Sequence, residues 1–111
     1  MKTIVKSALV LRNFAKVREY IPQYLNQKPA DTEAIYLAAV ACRKTEDYSM
    51  AIAYGEQYRL RQPLQVKNFF HLYLCHKKLQ NDKRANEMLE KVLNVEPENK
   101  RAKRLLQVNT A

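Results

Sequence analysis

The sequence has one glycine, Gly55, in 111 residues, and it has no tryptophan. A phosphate-binding loop needs several closely spaced glycines and an all-β protein needs many turn residues, so the composition excludes both. The longest apolar run, 34–42, includes a tyrosine and falls far short of the roughly 20 residues that a membrane-spanning helix requires. The composition therefore predicts a small all-α domain with short connections between its helices.

Cysteine is also scarce, and this bears on the cellular compartment. Cys42 and Cys75 lie in apolar-patterned segments rather than in loops, so we expect reduced thiols instead of a disulfide framework. The N-terminal stretch has apolar residues like those of a signal peptide, but Lys6 and Arg12 interrupt it and no small-residue cleavage site follows. The sequence favours a cytoplasmic protein.

Basic residues are in excess: 20 Lys and Arg stand against 11 Asp and Glu, which gives a formal net charge of +9. The excess is uneven, because residues 1–30 carry six basic and one acidic side chain and residues 100–111 carry four basic and none acidic. The middle of the chain is nearly neutral. A helical-repeat protein that reads one base per repeat would need cations along every repeat, and this distribution lacks them.

Proline marks an internal repeat, since Pro29, Pro63 and Pro97 are 34 residues apart. Aligning the blocks on these prolines also brings apolar residues such as Ala51 and Ala85 into one column. A period of this length is typical of stacked helix pairs.

Each block predicts two helices of about a dozen residues, because its apolar residues follow helical spacing. In the second block Ile35, Ala38, Ala39 and Cys42 fall at i, i+3, i+4 and i+7, the stripe of a helix that packs on a partner. After Pro97 there is room for one more helix. We predict one domain over 1–111, with hairpins at about 1–31, 32–65 and 66–99 and a C-terminal capping helix at about 98–108.

Short polar side chains mark the expected starts of helices. Asp31 and Asp47 each precede an apolar stripe, and Asn81 or Asp82 precedes another, so these side chains can accept hydrogen bonds from unpaired amides. Pro22 lies inside the expected second helix of the first hairpin. Proline removes a backbone hydrogen bond there, which predicts a kink or an irregular first hairpin.

The period, the small residues and the closing proline resemble those of the tetratricopeptide repeat (TPR) family. The resemblance is carried by AIYLAAVACRKTEDYSMAIAYGEQYRLRQP in the second block and NFFHLYLCHKKLQNDKRANEMLEKVLNVEPEN in the third. It implies a right-handed solenoid whose concave face is lined by the first helix of each repeat. Gly55 departs from the family's pattern, because a large apolar residue usually stands there.

The resemblance also implies which residues face the groove, and these mix cations with apolar and aromatic side chains. The expected partner-binding residues are Lys2, Lys6, Tyr36, Leu37, Val40, Arg43, Lys44, Lys67, Phe70, His71, Leu74, Lys77 and Lys78. Such a surface suits an extended or helical peptide with acidic and apolar residues, the apolar ones supplying affinity and the charges orientation. A purely solvated cationic face is the alternative interpretation.

Some TPR proteins hold a chaperone's terminal carboxylate with Lys, Asn, Asn, Lys and Arg. The corresponding residues are Lys2, Lys6, Leu37, Lys67 and His71, so both asparagines are missing and that clamp is not expected.

Two looser resemblances are to a TPR-like mitochondrial fission adaptor and to small type III secretion chaperones. The first rests on the ending VEPENKRAKRLL and applies only if the chain has been trimmed of a membrane anchor. The second rests on size and repeats alone.

Catalytic, metal and cofactor signatures are absent from the pattern, so we expect a non-enzymatic protein. His71 and Cys75 are four residues apart on one helix, but a metal site needs three or four ligands and no second pair is suitably spaced. His76 adjoins Cys75, yet neighbouring helix positions point in different directions, which argues against a catalytic pair. A core thiol beside a surface imidazole is the expected arrangement.

The sequence thus predicts an adaptor or chaperone that binds a protein segment in its groove. The first alternative is a helical-repeat nucleic-acid-binding protein that uses its basic surface, where KRAKR at 100–104 can bind phosphate without sequence preference. The second alternative is the membrane-recruited fission adaptor.

Overall fold

Helices account for most of the molecule. A computed structural model describes residues 13–110, with side chains as far as Val108. These residues form α1 (Phe14–Gln27), α2 (Thr32–Lys44), α3 (Tyr48–Arg61), α4 (Val66–Lys78), α5 (Asp82–Val95) and α6 (Lys100–Thr110). The predicted all-α class is confirmed. The first helix expected for the first hairpin, together with Lys2 and Lys6, lies outside the described residues.

In each of the three repeats, the second helix begins with the same kind of N-terminal cap. Asn13, Asp47 and Asn81 are 34 residues apart, and each side chain accepts a hydrogen bond from the backbone N–H three residues further on. These bonds satisfy amides that have no partner within the helix. The caps at Asp47 and Asn81 were predicted, whereas the one at Asn13 was not.

A second set of caps opens the first helices. The Asp31 side chain accepts from the Ala34 N–H at 3.1 Å, and the Asn99 side chain accepts from the Ala102 N–H at 2.9 Å. Gln65 holds the corresponding place before α4 and makes no side-chain cap. The 34-residue period therefore fixes where helices begin even where the capping residue varies.

The turns inside the second and third hairpins are also copies of each other. Glu46 and Gln80 have φ of 66° and 59°, the left-handed region that usually favours glycine. Past each of them the chain closes the turn with a 2.8 Å backbone bond, from Asp47 N–H to the Cys42 carbonyl and from Asn81 N–H to the His76 carbonyl. A tight turn is thus made without glycine.

Successive helices pack against each other, and α2 also touches α4 directly. The first helices of the two repeats therefore share one face. At the C-terminal end, α6 buries Ala102 completely and packs Leu105 and Leu106 against the cluster between α4 and α5. Its cationic residues stay on the outside, as expected of a capping helix.

Pro22 does not interrupt its helix, because α1 runs unbroken from Phe14 to Gln27. The Pro22 ring is exposed, while Ile21 and Tyr24 beside it are buried. The missing N–H thus falls on the solvent side, where water can satisfy the freed carbonyl of Arg18. Pro22 therefore neither ends nor interrupts α1, while the other half of the first hairpin lies outside the described residues.

None of the helices that the structure describes combines the length and the apolar composition that a membrane span requires.

Asp47 has two structural roles, and a comparison with Asn81, which only caps a helix, measures the second role. It caps α3, and it also accepts a hydrogen bond from the Arg18 guanidinium, which joins α1 to the start of α3. Asp47→Ala is expected to lower the unfolding free energy by about 1–2 kcal/mol, and Asn81→Ala, which removes a cap alone, by about 1 kcal/mol or less. Urea unfolding followed by circular dichroism measures both. An equal loss in the two variants would contradict the additional role of Asp47.

Candidate partner-binding groove

The structure sorts the predicted groove residues by accessibility. Three lysines are exposed, seven side chains are half-buried and one is buried; the exposed ones are Lys44, Lys67 and Lys78, the half-buried ones Tyr36, Leu37, Val40, Arg43, Phe70, Leu74 and Lys77, and the buried one His71. The described candidates come from α2 and α4, the two first helices that touch.

His71 is not a surface imidazole, and this expectation is wrong. Its side chain is 1% exposed and lies among α2, α3 and α4. The ring accepts a hydrogen bond at Nδ1 from Arg43 Nε at 3.0 Å, and its Nε2 lies 3.0 Å from the Ala51 carbonyl. A partner cannot reach this ring, so His71 leaves the set of contact residues.

The two partners determine the protonation of His71. Arg43 Nε always carries a hydrogen, so Nδ1 must be the bare nitrogen, and Nε2 then carries the proton that it donates to the Ala51 carbonyl. The pKa of His71 is lowered to about 4, mainly by burial; the bond to the Ala51 carbonyl opposes this shift, and the nearby Arg43 charge adds to it. The ring is therefore neutral at pH 7.

Gly55 makes this packing possible. A Cβ built on Gly55 would lie 2.8 Å from Leu72 Cδ2, closer than real Cβ atoms approach, and 3.1 Å from His71 Cδ2, which is tighter than most real Cβ contacts. The Gly55 carbonyl also accepts a 3.0 Å hydrogen bond from the Asn68 side chain, which is 1% exposed. Two side chains of α4 thus bond to carbonyls one turn apart on α3. The glycine at a position where TPR repeats have a large residue is explained by what faces it.

Tyr36, the aromatic residue predicted for the groove in the second repeat, is covered by a cation from the third repeat. Lys67 Nζ lies 4.5 Å from the centre of the Tyr36 ring and 5.6 Å from that of Tyr58, and the two rings are 5.1 Å apart. Such contacts are attractive because the face of an aromatic ring is electron-rich. Burial raises the pKa of Tyr36, so its hydroxyl remains protonated.

The same contact recurs one repeat later. The Arg101 guanidinium lies 4.5 Å from the centre of the Phe70 ring. Both pairs join residues 31 apart, Tyr36 with Lys67 and Phe70 with Arg101. Neither ring is therefore freely available as an anchor, and the protein's own cations cover this end of the candidate groove. The repeated 31-residue interval could have indicated this from the sequence.

The other end of the two helices is open. A cavity of about 220 Å³ lies where α2 and α4 terminate. It is lined by Arg43, Lys44, Glu46, Tyr48, Leu74 and Lys78. Three of these side chains are cationic and one is acidic, so the cavity has a positive potential beside the apolar side chain of Leu74.

The two cysteines are structural. Cys42 and Cys75 are 2% and 0% exposed, and burial raises the pKa of Cys75 to about 11 and that of Cys42 above its ordinary value. Both are therefore thiols at neutral pH, without the thiolate that nucleophilic catalysis needs. Within residues 13–108, no three His, Cys, Asp or Glu side chains are grouped as metal ligands would be.

Solved structures share this architecture. A crystal structure of MamA has a TM-score of 0.89 at 16% identity, over 96% of this chain and 63% of that one. The Arabidopsis OM64 TPR domain gives 0.85 at 18%, over 97% and 89%, and the Sgt2 TPR domain from Aspergillus fumigatus gives 0.79 at 22%, over 98% and 74%. The chain spans less than two thirds of the MamA length. No protein-family model and no curated protein sequence matches it.

The chain has the TPR fold. The predicted solenoid of helical hairpins with a C-terminal capping helix is confirmed by these matches together with the helix order.

The close approach of α4 to Gly55 predicts that replacing this glycine with alanine destabilises the protein, although the same change usually stabilises a helix. Gly55→Ala is expected to lower the unfolding free energy, although alanine is the better helix former by about 1 kcal/mol, because the new Cβ displaces Leu72 and His71. Ala53, exposed on the same helix, is the matched control, and Ala53→Gly should lower stability by about 1 kcal/mol. Thermal and urea unfolding test both. A more stable Gly55→Ala variant would refute the packing described.

Burial of a neutral His71 predicts a dependence of stability on pH. Its folded pKa, about 4, lies below the unfolded value of 6.5, so the unfolded chain binds more protons and stability falls as the pH drops from about 7 towards 4. The contribution of His71 should be about 2 kcal/mol between pH 7.5 and pH 5. Burial also lowers the pKa of His76, so the wild type must be compared with variants.

The comparison uses His71→Gln, which cannot titrate, and His76→Gln as control. Urea unfolding at pH 7.5 and pH 5 should give a smaller loss for His71→Gln than for the wild type, while His76→Gln keeps the His71 contribution. Equal losses in the wild type and His71→Gln would show that His71 does not titrate as described.

Proposed function

We propose that this chain is a non-enzymatic interaction module that binds an extended or helical segment of a partner protein along the shared face of α2 and α4. The observation that carries the proposal is the charge state of that face. The cations that have no carboxylate partner among the described residues gather at one end, beside half-buried apolar side chains, and an acidic and apolar peptide complements them.

The cations of α2 and α4 divide into two groups. Lys67 lies over Tyr36, and Lys77 Nζ is 3.2 Å from the Asp82 carboxylate. Arg43, Lys44 and Lys78 have no carboxylate partner within the described part of the chain. Unpaired cations around a cavity attract acidic groups and increase the rate of encounter with them.

Apolar contact area is available next to these cations. Val40 and Leu74 hold equivalent positions on α2 and α4, 34 residues apart, and both remain half-buried. Apolar side chains of a partner gain affinity by completing their burial. Stacked helix pairs present such extended concave surfaces generally, so the fold also supports protein binding.

Nucleic acid fits this face less well. Of the four cations of α6, Arg101 lies over Phe70 and Lys103 Nζ is 3.0 Å from the Glu98 carboxylate, which leaves Lys100 and Arg104 without a described partner. The two aromatic rings on this face of α2 and α4, Tyr36 and Phe70, are covered by cations and are not free to stack on bases.

A displayed library of random 15-residue peptides, selected on the immobilised protein, tests the proposal. The selected peptides are then titrated into ¹⁵N-labelled protein. The expected chemical-shift changes lie on the groove side of α2 and α4, at Val40, Lys44, Leu74 and Lys78. Ala53 and Glu90, which are exposed on α3 and α5, should not respond.

Charge-reversal variants measure how much the lysines contribute to peptide affinity. Lys44→Glu with Lys78→Glu should weaken binding of the selected peptide by about tenfold or more, since two attractive contacts become repulsive. Lys16→Glu with Lys83→Glu makes the same charge change on α1 and α5, where both lysines are exposed, and should leave affinity within about twofold. Absence of selected binders, or equal weakening in both double variants, would contradict a binding site on α2 and α4.

A further inference from the structure

We infer that the cavity between the C-terminal ends of α2 and α4 is the subsite for one acidic side chain, an aspartate or glutamate of the partner segment. This inference rests on the proposed function and specifies where its charge recognition takes place. None of the residues that line the cavity corresponds to a residue of the chaperone-tail clamp. His71, which does correspond to one, is buried beneath the cavity and supports Arg43.

Arg43 is held in place for such a contact. Its Nε–H donates to His71 Nδ1, and this bond fixes the guanidinium plane from below. The terminal nitrogens of Arg43 have no hydrogen-bond acceptor within residues 13–108. A guanidinium whose side chain is already ordered loses less entropy on binding, and its two terminal groups match the oxygens of a carboxylate.

Two lysines add to this charge. Lys44 follows Arg43 on α2, Lys78 comes from α4, and both are exposed beside the cavity. Glu46 also lines the cavity, so three positive charges face one negative charge there. The remaining potential is positive, and a single carboxylate brings it nearer to neutrality. A strongly acidic run would meet the Glu46 carboxylate, which favours one acidic residue rather than several.

The size and walls of the cavity suit a side chain. Its volume of about 220 Å³ lies below the roughly 300–1,000 Å³ typical of small-molecule pockets. Leu74 and Tyr48 supply apolar wall that can contact the methylene groups of a glutamate and its apolar neighbours. The rest of the peptide would lie along Val40 and Leu74.

Two synthetic probes separate the carboxylate from the rest of the peptide: acetyl-Leu-Glu-Leu-amide and its isosteric control acetyl-Leu-Gln-Leu-amide. Each is titrated into ¹⁵N-labelled protein. The Glu peptide should bind about tenfold more tightly than the Gln peptide. It should also shift the Nε–Hε resonance of Arg43 and the amides of Lys44 and Lys78.

Variants assign that preference to the cavity. Lys44→Ala with Lys78→Ala should lower the Glu-to-Gln affinity ratio, because Arg43 is then the only cation left among the residues that line the cavity. Both lysine side chains are exposed, so their loss leaves the helices intact. Lys83→Ala, at an exposed cation of α5, should preserve the ratio. In His71→Gln the Arg43 Nε–Hε resonance should exchange faster with water and the ratio should fall, which tests His71 as a positioning residue.

The outcomes distinguish the subsite from the proposed function. Equal affinities for the two probes, with chemical-shift changes on α2 and α4, would overturn the acidic subsite. The proposed peptide binding along α2 and α4 would still stand. A Glu preference that Lys83→Ala removes as strongly as the cavity variants overturns the subsite as general charge attraction. No response of the groove amides to either probe overturns the subsite, and if the displayed library also gives no binder, the proposed function fails with it.

Discussion

One buried imidazole connects the core of this protein to its candidate binding surface. His71 receives a hydrogen bond from Arg43 on α2 and donates one to the Ala51 carbonyl on α3, while it is itself part of α4. Three helices are therefore joined through a ring that is neutral because it is buried. A side chain at position 55 would crowd Leu72 and the ring, and without the ring the guanidinium of Arg43 would lack its anchor. The orientation of Arg43 is thus set from inside the molecule.

The polar contact between α3 and α4 leaves one buried group without a hydrogen-bond partner among the described residues. Asn68 donates to the Gly55 carbonyl, but its own side-chain oxygen has no partner among the described residues. Buried polar groups of this kind stabilise only when they are paired, and they make the packing sensitive to small changes. An apolar interface would avoid this cost, but it would not hold a guanidinium in place.

The repeat makes the two ends of the groove different. Near the starts of α2 and α4, a cation from the first helix after the next lies over the aromatic ring, at Tyr36 with Lys67 of α4 and at Phe70 with Arg101 of α6. Near their ends no such cation–ring contact is made among residues 13–108, and Arg43, Lys44 and Lys78 line a cavity. A surface that the sequence presents as uniformly mixed is thus closed at one end and open at the other.

Local rules were enough to predict the helices and where they begin, and the family resemblance supplied the solenoid. The 34-residue period and the caps at Asp31, Asp47 and Asn81 depend on spacing and on nearby backbone, and the structure follows them. The site depends on contacts between residues far apart in sequence. His71 looked like a surface residue because its burial requires Gly55 sixteen residues earlier, and Pro22 looked disruptive because its solvent-facing side could not be known.

The tautomer of His71 is the most direct test of this packing, and long-range ¹H–¹⁵N correlation spectra at pH 7 measure it. The two hydrogen bonds of the ring predict a neutral imidazole with its proton on Nε2 and a bare Nδ1 that accepts from Arg43. A ring protonated at Nδ1, or a charged imidazolium, would contradict both the described core and the anchoring of Arg43.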